Sequence, residues 1–147
     1  MSGMTLAEFA EKVSAVMPVI TREFVKQSYG DFSKLRVTMP QIFILNILEK
    51  EGEARMSDLA KFLRVSTASV TGVTDRLVRD AYVVRERGTK DRRVVKIKLT
   101  QKGSRLINTL NDKRKKVIGK VFGKLSGPDR ASYLRILNQL KEGLEGA

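Results

Sequence analysis

The chain has 147 residues, 41% hydrophobic and 31% charged, a balance that suits one globular domain with a sizeable core and excludes a chain built for disorder. It contains no cysteine and no histidine, which excludes disulfides, thiolate metal sites and cysteine redox sensing and removes the commonest metal ligand and general base. The net charge of +13 is unevenly spread: residues 1–54 carry six Lys and Arg against seven Asp and Glu, which leaves 23 basic and nine acidic residues for 55–147, a segregation that suits neutralisation of a polyanion by one part of the chain.

Leu6, Phe9, Ala10, Val13, Val16, Met17, Ile20 and Phe24 recur at steps of three and four. They predict a long helix from residue 5 to about 28, ended by Gly30. Thr38-Met39-Pro40-Gln41 reads as a helix start. Thr38 is the N-cap, Pro40 sits where a missing N–H is tolerated, and Gln41 reaches back to complete a capping box. Ile42, Leu45, Ile47 and Leu48 continue that helix to Gly52. Ser57 is expected to cap the next, short helix, with Asp58 at its positive end and Leu59, Ala60, Phe62 and Leu63 on its buried side. Arg64, Val65 and Ser66 make a turn, and Ser66 caps a helix from Thr67 to Asp80 whose apolar line is Ala68, Val70, Val73, Leu77 and Val78. Two short helices joined by so tight a turn are a helix-turn-helix.

Tyr82-Val83-Val84 is a short apolar strand, and Val95, Ile97 and Leu99 alternate with Lys96 and Lys98 in a second one. The charged tip between them, with Gly88, makes a β-hairpin wing. Thr100 then caps a long helix carrying Leu106, Leu110, Val117, Val121 and Leu125, joined by Ile107, Ile118 and Phe122. Ser126-Gly127-Pro128-Asp129 restarts the chain with a cap and a capping box, and Tyr133, Leu134, Leu137, Leu140 and Leu144 stripe the last helix. The fold class is therefore mainly α with a small β-hairpin wing. A winged helix-turn-helix lobe spans 38–100, and 1–37 and 101–147 form a helical dimerisation region of the same single domain.

The terminal helices must bury their stripes somewhere, either on their own core or against the same helices of a second chain. The second is favoured, because DNA readers often use two-fold symmetry to read two half-sites one helical turn apart. A homodimer is expected. No apolar run approaches the length of a membrane span and no signal peptide begins the chain, so a cytoplasmic protein is expected.

Duplex DNA is the expected partner. The first positions after Ser66 suit the major groove: Thr67, Ser69, Thr71, Gly72, Thr74, Asp75 and Arg76 lie off the apolar line. Their hydroxyls suit base edges or phosphates, and Arg76 suits a phosphate or a guanine edge. Gly72 inside a helix costs about 1 kcal/mol against alanine, which a close approach to DNA would explain. At the wing tip, Thr89, Lys90, Arg92 and Arg93 suit the negative potential of a narrow minor groove. Asp91 would repel phosphate, and its expected work is to pair with Arg93 and hold that side chain.

Two other readings fit the basicity. The run Lys113-Arg114-Lys115-Lys116, with Lys120 and Lys124, would serve an architectural DNA coater, and a winged helix can also be a protein-interaction module. An enzyme is not expected: neither paired carboxylates nor a phosphate-binding glycine loop is present, and no metal or cofactor is called for.

These residues together resemble the MarR family of winged-helix regulators over nearly the whole length. The matching residues are Thr38 and Gln41, Met56-Ser57 before Leu59-Ala60, and Val65-Ser66-Thr67-Ala68-Ser69-Val70-Thr71 leading to Asp75-Arg76-Leu77. The most specific match is Asp91-x-Arg93 followed by Leu99-Thr100-x-x-Gly103. The resemblance implies an obligate homodimer with recognition helices in consecutive major grooves of a palindromic site and wings in the flanking minor grooves. It implies Arg93 as the minor-groove arginine and Asp91 as its orienting partner. It further implies an effector site between dimer region and DNA-binding lobe, often for small aromatic, phenolic or lipophilic anions, which would lower DNA affinity by changing the spacing of the lobes. The family has no motif for that pocket; Phe24, Tyr29 and Phe32 near the end of the first helix could line one or be plain core. On this reading the protein is a repressor released by a small molecule.

Overall fold

Thr5 closes a capping box with Glu8, accepting its backbone N–H at 3.2 Å, and opens α1 (Leu6–Tyr29). Gly30 ends that helix with φ +65°, a conformation glycine adopts without steric cost. The computed structural model describes residues 3–30, 34 and 36–146. Thr38 and Gln41 form the expected capping box at the start of α2 (Met39–Glu51). The chain then makes a short strand that the sequence did not suggest, β1 (Glu53–Arg55). Because β1 runs straight into α3 (Met56–Leu63), Ser57 falls inside the helix and is not its cap. Arg55 takes that place, its backbone N–H donating to Asp58 Oδ2 at 3.2 Å.

Arg64, in the left-handed region at φ 54°, turns the chain. Ser66 caps α4 (Thr67–Arg79), accepting from the Ser69 backbone N–H at 3.1 Å. The wing strands are β2 (Val83–Arg87) and β3 (Val95–Leu99). The sheet is antiparallel in the order β1-β3-β2, with Ala54 opposite Ile97 and Arg85 opposite Ile97 on the other side. α5 (Gln101–Phe122) starts at Thr100, and α6 (Gly127–Glu145) starts at Ser126. Ser126 accepts from the Asp129 N–H at 3.2 Å, one half of the expected capping box.

The core lies in the winged lobe. Ile42, Ile44, Leu45 and Leu48 of α2 meet Leu59, Val70, Leu77, Val83, Ile97 and Ile107, all essentially inaccessible to solvent. Each such side chain stabilises the fold by about 1.5–3 kcal/mol relative to exposure. α1 packs along α5, and α5 in turn packs on α2 and β3. Three expectations about this core change. Phe62 is 59% exposed, because the last turn of α3 points it away from α2 and α4. Ala68 is exposed, while Thr74 is fully buried. The inward line of α4 is thus Val70, Thr74 and Leu77, which step by four and three as one helix face must.

On α1 and α6 the burial pattern reverses. Only Ser28 and Tyr29 of α1 are buried, and no residue of α6 is. Leu6, Phe9, Val16, Met17 and Ile20 on α1, and Leu134, Leu137, Leu140 and Leu144 on α6, keep their apolar side chains exposed within one chain.

Candidate nucleic-acid interface

The start of α4 carries four hydroxyls, those of Ser66, Thr67, Ser69 and Thr71, three of them engaged in hydrogen bonds within the helix start. Ser66 Oγ both accepts from the Ser69 N–H and donates to Ser69 Oγ at 2.9 Å, and Thr71 Oγ1 donates back to the Thr67 carbonyl at 2.8 Å. Ser66, Thr67, Ser69, Gly72, Asp75 and Arg76 are exposed and Thr71 is half-buried. Thr74, expected beside them, is turned into the core, where among the described residues its hydroxyl meets only the Met56 sulfur at 3.6 Å. Gly72 has open space around the position of a Cβ, so nothing in the chain itself demands glycine there.

The wing tip is a folded turn. Gly88 N–H donates to the Val94 carbonyl at 2.8 Å and Val94 N–H to the Asp91 carbonyl at 3.2 Å. A Cβ on Gly88 would stand 2.7 Å from that same Asp91 oxygen, so only glycine fits. Asp91 Oδ1 accepts the backbone N–H of Arg93 at 3.0 Å. The carboxylate therefore fixes the turn that carries Arg93, and among the described residues it makes no ion pair with the guanidinium. Thr89, Lys90, Arg92 and Arg93 are all exposed, leaving three cations at the tip.

One contact that the sequence did not suggest ties the reading helix to the wing, and a second set cross-links the strands of the sheet. Arg85 of β2 forms an ion pair and hydrogen bond with Asp75 of α4. On the polar face of the sheet, Lys96 Nζ donates to Glu53 at 2.6 Å, and Lys98 stands 2.9 Å from Glu86 and 3.5 Å from Glu53. The Lys96 hydrogen bond is the main reason the Glu53 carboxyl is held below its ordinary value, and Glu86 is the main reason the Lys98 ammonium is raised. Alternation puts Lys98 on the outward face and Arg85 on the face of Val83 and Ile97, but names no partner across ten or more residues.

At its far end α4 is joined to α5. Thr100 Oγ1 donates to the Ala81 carbonyl at 2.6 Å while accepting the Gly103 N–H at 3.1 Å. Lys102 Nζ donates to the Asp80 carbonyl at 2.8 Å and lies 4.5 Å from the centre of the Tyr82 ring. The Thr100-x-x-Gly103 pattern is thus a joint between helices.

A cleft of about 690 Å³ opens between α1, α5 and α6 at the Met39 end of α2. Phe24, Tyr29, Phe122 and Tyr133 line it, with the Phe122 ring 5.8 Å from Phe24 and 5.0 Å from Tyr133. Arg114 and Arg130 are its cations; Arg130 also donates to the Phe122 and Leu125 carbonyls at the end of α5. Phe24 and Tyr29 border this cavity, Tyr29 being at the same time part of the buried core, while Phe32 lies outside the described residues. No helix among the described residues is long and apolar enough to cross a membrane.

Known proteins share both sequence and architecture. The MarR family profile matches residues 37–95. The transcriptional repressor MdtR of Bacillus subtilis is 30% identical over 112 residues, covering 76% of this chain and 72% of MdtR. A MarR family protein of Bacillus stearothermophilus superposes with a TM-score of 0.83 at 22% identity, covering 96% of this chain and 99% of that one. FabT of Streptococcus pneumoniae, solved in complex with DNA, superposes with a TM-score of 0.80 at 24% identity, covering 97% and 99%. With the three-stranded wing, the capped reading helix and the Thr100–Gly103 joint all in place, the chain belongs to the MarR family of winged helix-turn-helix transcriptional regulators, DNA-binding proteins rather than enzymes.

Proposed function

We propose that this regulator is a homodimeric repressor of a palindromic operator. The observation that carries the reading is the pairing of two surfaces in one chain. One is a hydroxyl- and arginine-bearing start of α4 beside a cationic wing tip. The other is a pair of terminal helices whose apolar stripes have no cover. A second copy would bury the stripes and set two recognition helices on one face of a duplex. The lobe 38–100 reads DNA and the helical segments 1–37 and 101–147 hold the dimer. Ser66, Thr67, Ser69, Thr71, Gly72 and Arg76 meet the major groove. Thr89, Lys90, Arg92 and Arg93 meet the flanking minor groove, on a turn set by Asp91. MdtR is named a repressor and FabT was solved on DNA, which supports this reading.

The cleft between α1, α5 and α6 suits a small aromatic or lipophilic effector, since its walls are largely apolar and two arginines border it. Binding there would alter the spacing of the two recognition helices and release the operator. The test is selection of genomic fragments by the purified protein against random duplex, with sedimentation of the free protein. A palindromic motif bound by a dimer, and repression of a reporter that carries it, is the expected result. Recovery of all fragments alike, or a monomer at micromolar concentration, would refute it.

A further inference from the structure

Apart from Lys102 in the joint and Arg114 at the cleft, the cations of α5 have no part in the surfaces described so far. Residues 101–122 hold seven Lys and Arg and one Asp. Lys113, Lys116, Lys120 and, in the turn after the helix, Lys124 step by three, four and four, so they fall on one stripe. All four are exposed. Among the described residues none is in an ion pair. Asp112 stands four residues before Lys116 and is not paired with it. Like charges at these spacings repel along a helix; Lys113 Nζ reaches the end of α1 beside Gly30, while Lys116, Lys120 and Lys124 have no ion-pair partner among the described residues.

The stripe is also separated from the surfaces already assigned. At 100° per residue it lies almost opposite Ile118, Phe122 and Leu125. Those apolar residues face the α6 side, where Tyr133 stacks on Phe122. A second copy covering the apolar stripes would leave the lysines outside. Along the axis, Lys113 to Lys120 lie roughly 15 to 25 Å beyond Gly103, where α5 is joined to the end of the reading helix. DNA lying straight under that helix does not follow α5 upward.

We propose that the outer face of α5 is a second, sequence-independent duplex contact, taking the phosphates of a DNA segment other than the one under the recognition helix. The row of ammonium groups suits a phosphate backbone, whose neutralisation releases counterions and needs no base readout. The segment is the operator's own flank, bent back, because a tethered flank is present at far higher effective concentration than a separate duplex. The inference rests on the DNA-reading surface proposed above being correct.

The test compares the full-length protein with a Lys116→Gln, Lys120→Gln, Lys124→Gln variant. Each is titrated over a range of salt with a minimal operator and with the same operator extended by random sequence. A labelled second duplex is then offered to protein held on bead-bound operator. On the minimal operator the two proteins should agree. On the extended one the variant's log–log salt slope should be shallower by about 0.9 per lost phosphate contact, close to 3 in all, if the flank is the source. Capture of the labelled duplex by wild type, lost in the variant, marks a second duplex instead. Equal slopes for both proteins on both duplexes, with no capture, would overturn the proposal and leave an acidic protein or the partner subunit to neutralise the stripe. Circular dichroism and sedimentation confirm that the variant keeps its fold and assembly. A wild type that fails to prefer the minimal operator over random duplex would refute the reading surface instead, and the comparison of extended duplexes would still decide the stripe.

Discussion

Gly103 lies directly against the backbone carbonyl of Tyr82: a Cβ built on the glycine would overlap that oxygen, and would also stand 3.2 Å from Leu99 Cδ2. The obstacle is main chain, so it cannot swing aside. Thr100 N–H donates to the same carbonyl at 3.1 Å, which pins it further.

Gly103→Ala should therefore destabilise the protein by about 3 kcal/mol, at the upper end of the usual cost of overpacking. Denaturant unfolding measures it. A change under about 0.5 kcal/mol, the range of ordinary surface substitutions, would mean that the joint can spread.

Gly72→Ala makes the opposite case. No neighbour crowds that position, and alanine in a helix interior is favoured over glycine by about 1 kcal/mol. The free protein should become more stable by about that amount. If operator affinity drops at the same time, the glycine is there for the approach of DNA. Unchanged affinity would remove Gly72 from the interface.

Thr74→Val tests which face of α4 points inward. The hydroxyl is fully buried with only a sulfur contact, so replacing it with a methyl group should be neutral or stabilising by up to about 1 kcal/mol. Operator affinity should not move. A tenfold loss would return Thr74 to the reading surface.

At the wing, Arg93→Ala should weaken operator binding on every duplex while leaving the dimer intact. Its salt slope should fall by about 1 if the arginine meets a phosphate. Asp91→Ala should lower affinity less, through a loosened turn, because its carboxylate holds the Arg93 backbone. An Asp91 effect that vanished in an Arg93→Ala background would show the two acting as one unit.

The sheet should respond to acid. Glu53 is held below its ordinary value, first by the Lys96 hydrogen bond, and Asp58 likewise by the Arg55 backbone N–H. A lowered folded-state value means that stability is present above the unfolded-state value and is lost as pH falls through the folded one, here below about pH 4. Lys98, raised by Glu86, acts in the alkaline range with the opposite sign, its contribution being lost as pH rises past about 10. Glu53→Gln should flatten the acid limb of the stability curve without abolishing it, since Asp58 remains. A curve of unchanged shape would show that the β1–β3 ion pairs do not couple to folding.

Much of this was legible in the residues because it depends on local chemistry. Thr38 with Gln41, Ser66, Thr100 and Ser126 are caps whose partners lie three residues away, and the apolar stripe places α1, so each helix start but one could be placed. The exception is α3. Its start is set by β1, and a three-residue strand is recognisable only once β3 lies beside it. Thr74 went astray for a related reason: a threonine reads as polar, yet its position four after Val70 and three before Leu77 puts it inside. The Asp75–Arg85 pair and the Glu53, Lys96, Lys98 and Glu86 cluster join residues from separate elements, and no spacing rule brings those together. Asp91 was read as the partner of Arg93 and does contact it, but through the main chain, which a residue pattern does not distinguish.

The joint at Thr100, Lys102 and Gly103 has a mechanical meaning for any signal that reaches DNA. Hydrogen bonds to Asp80, Ala81 and Tyr82 and a glycine-tight contact leave no hinge between the reading helix and the rod that follows it. In the proposed dimer, a molecule that parted or closed the two recognition helices would have to re-seat whole rods against each other.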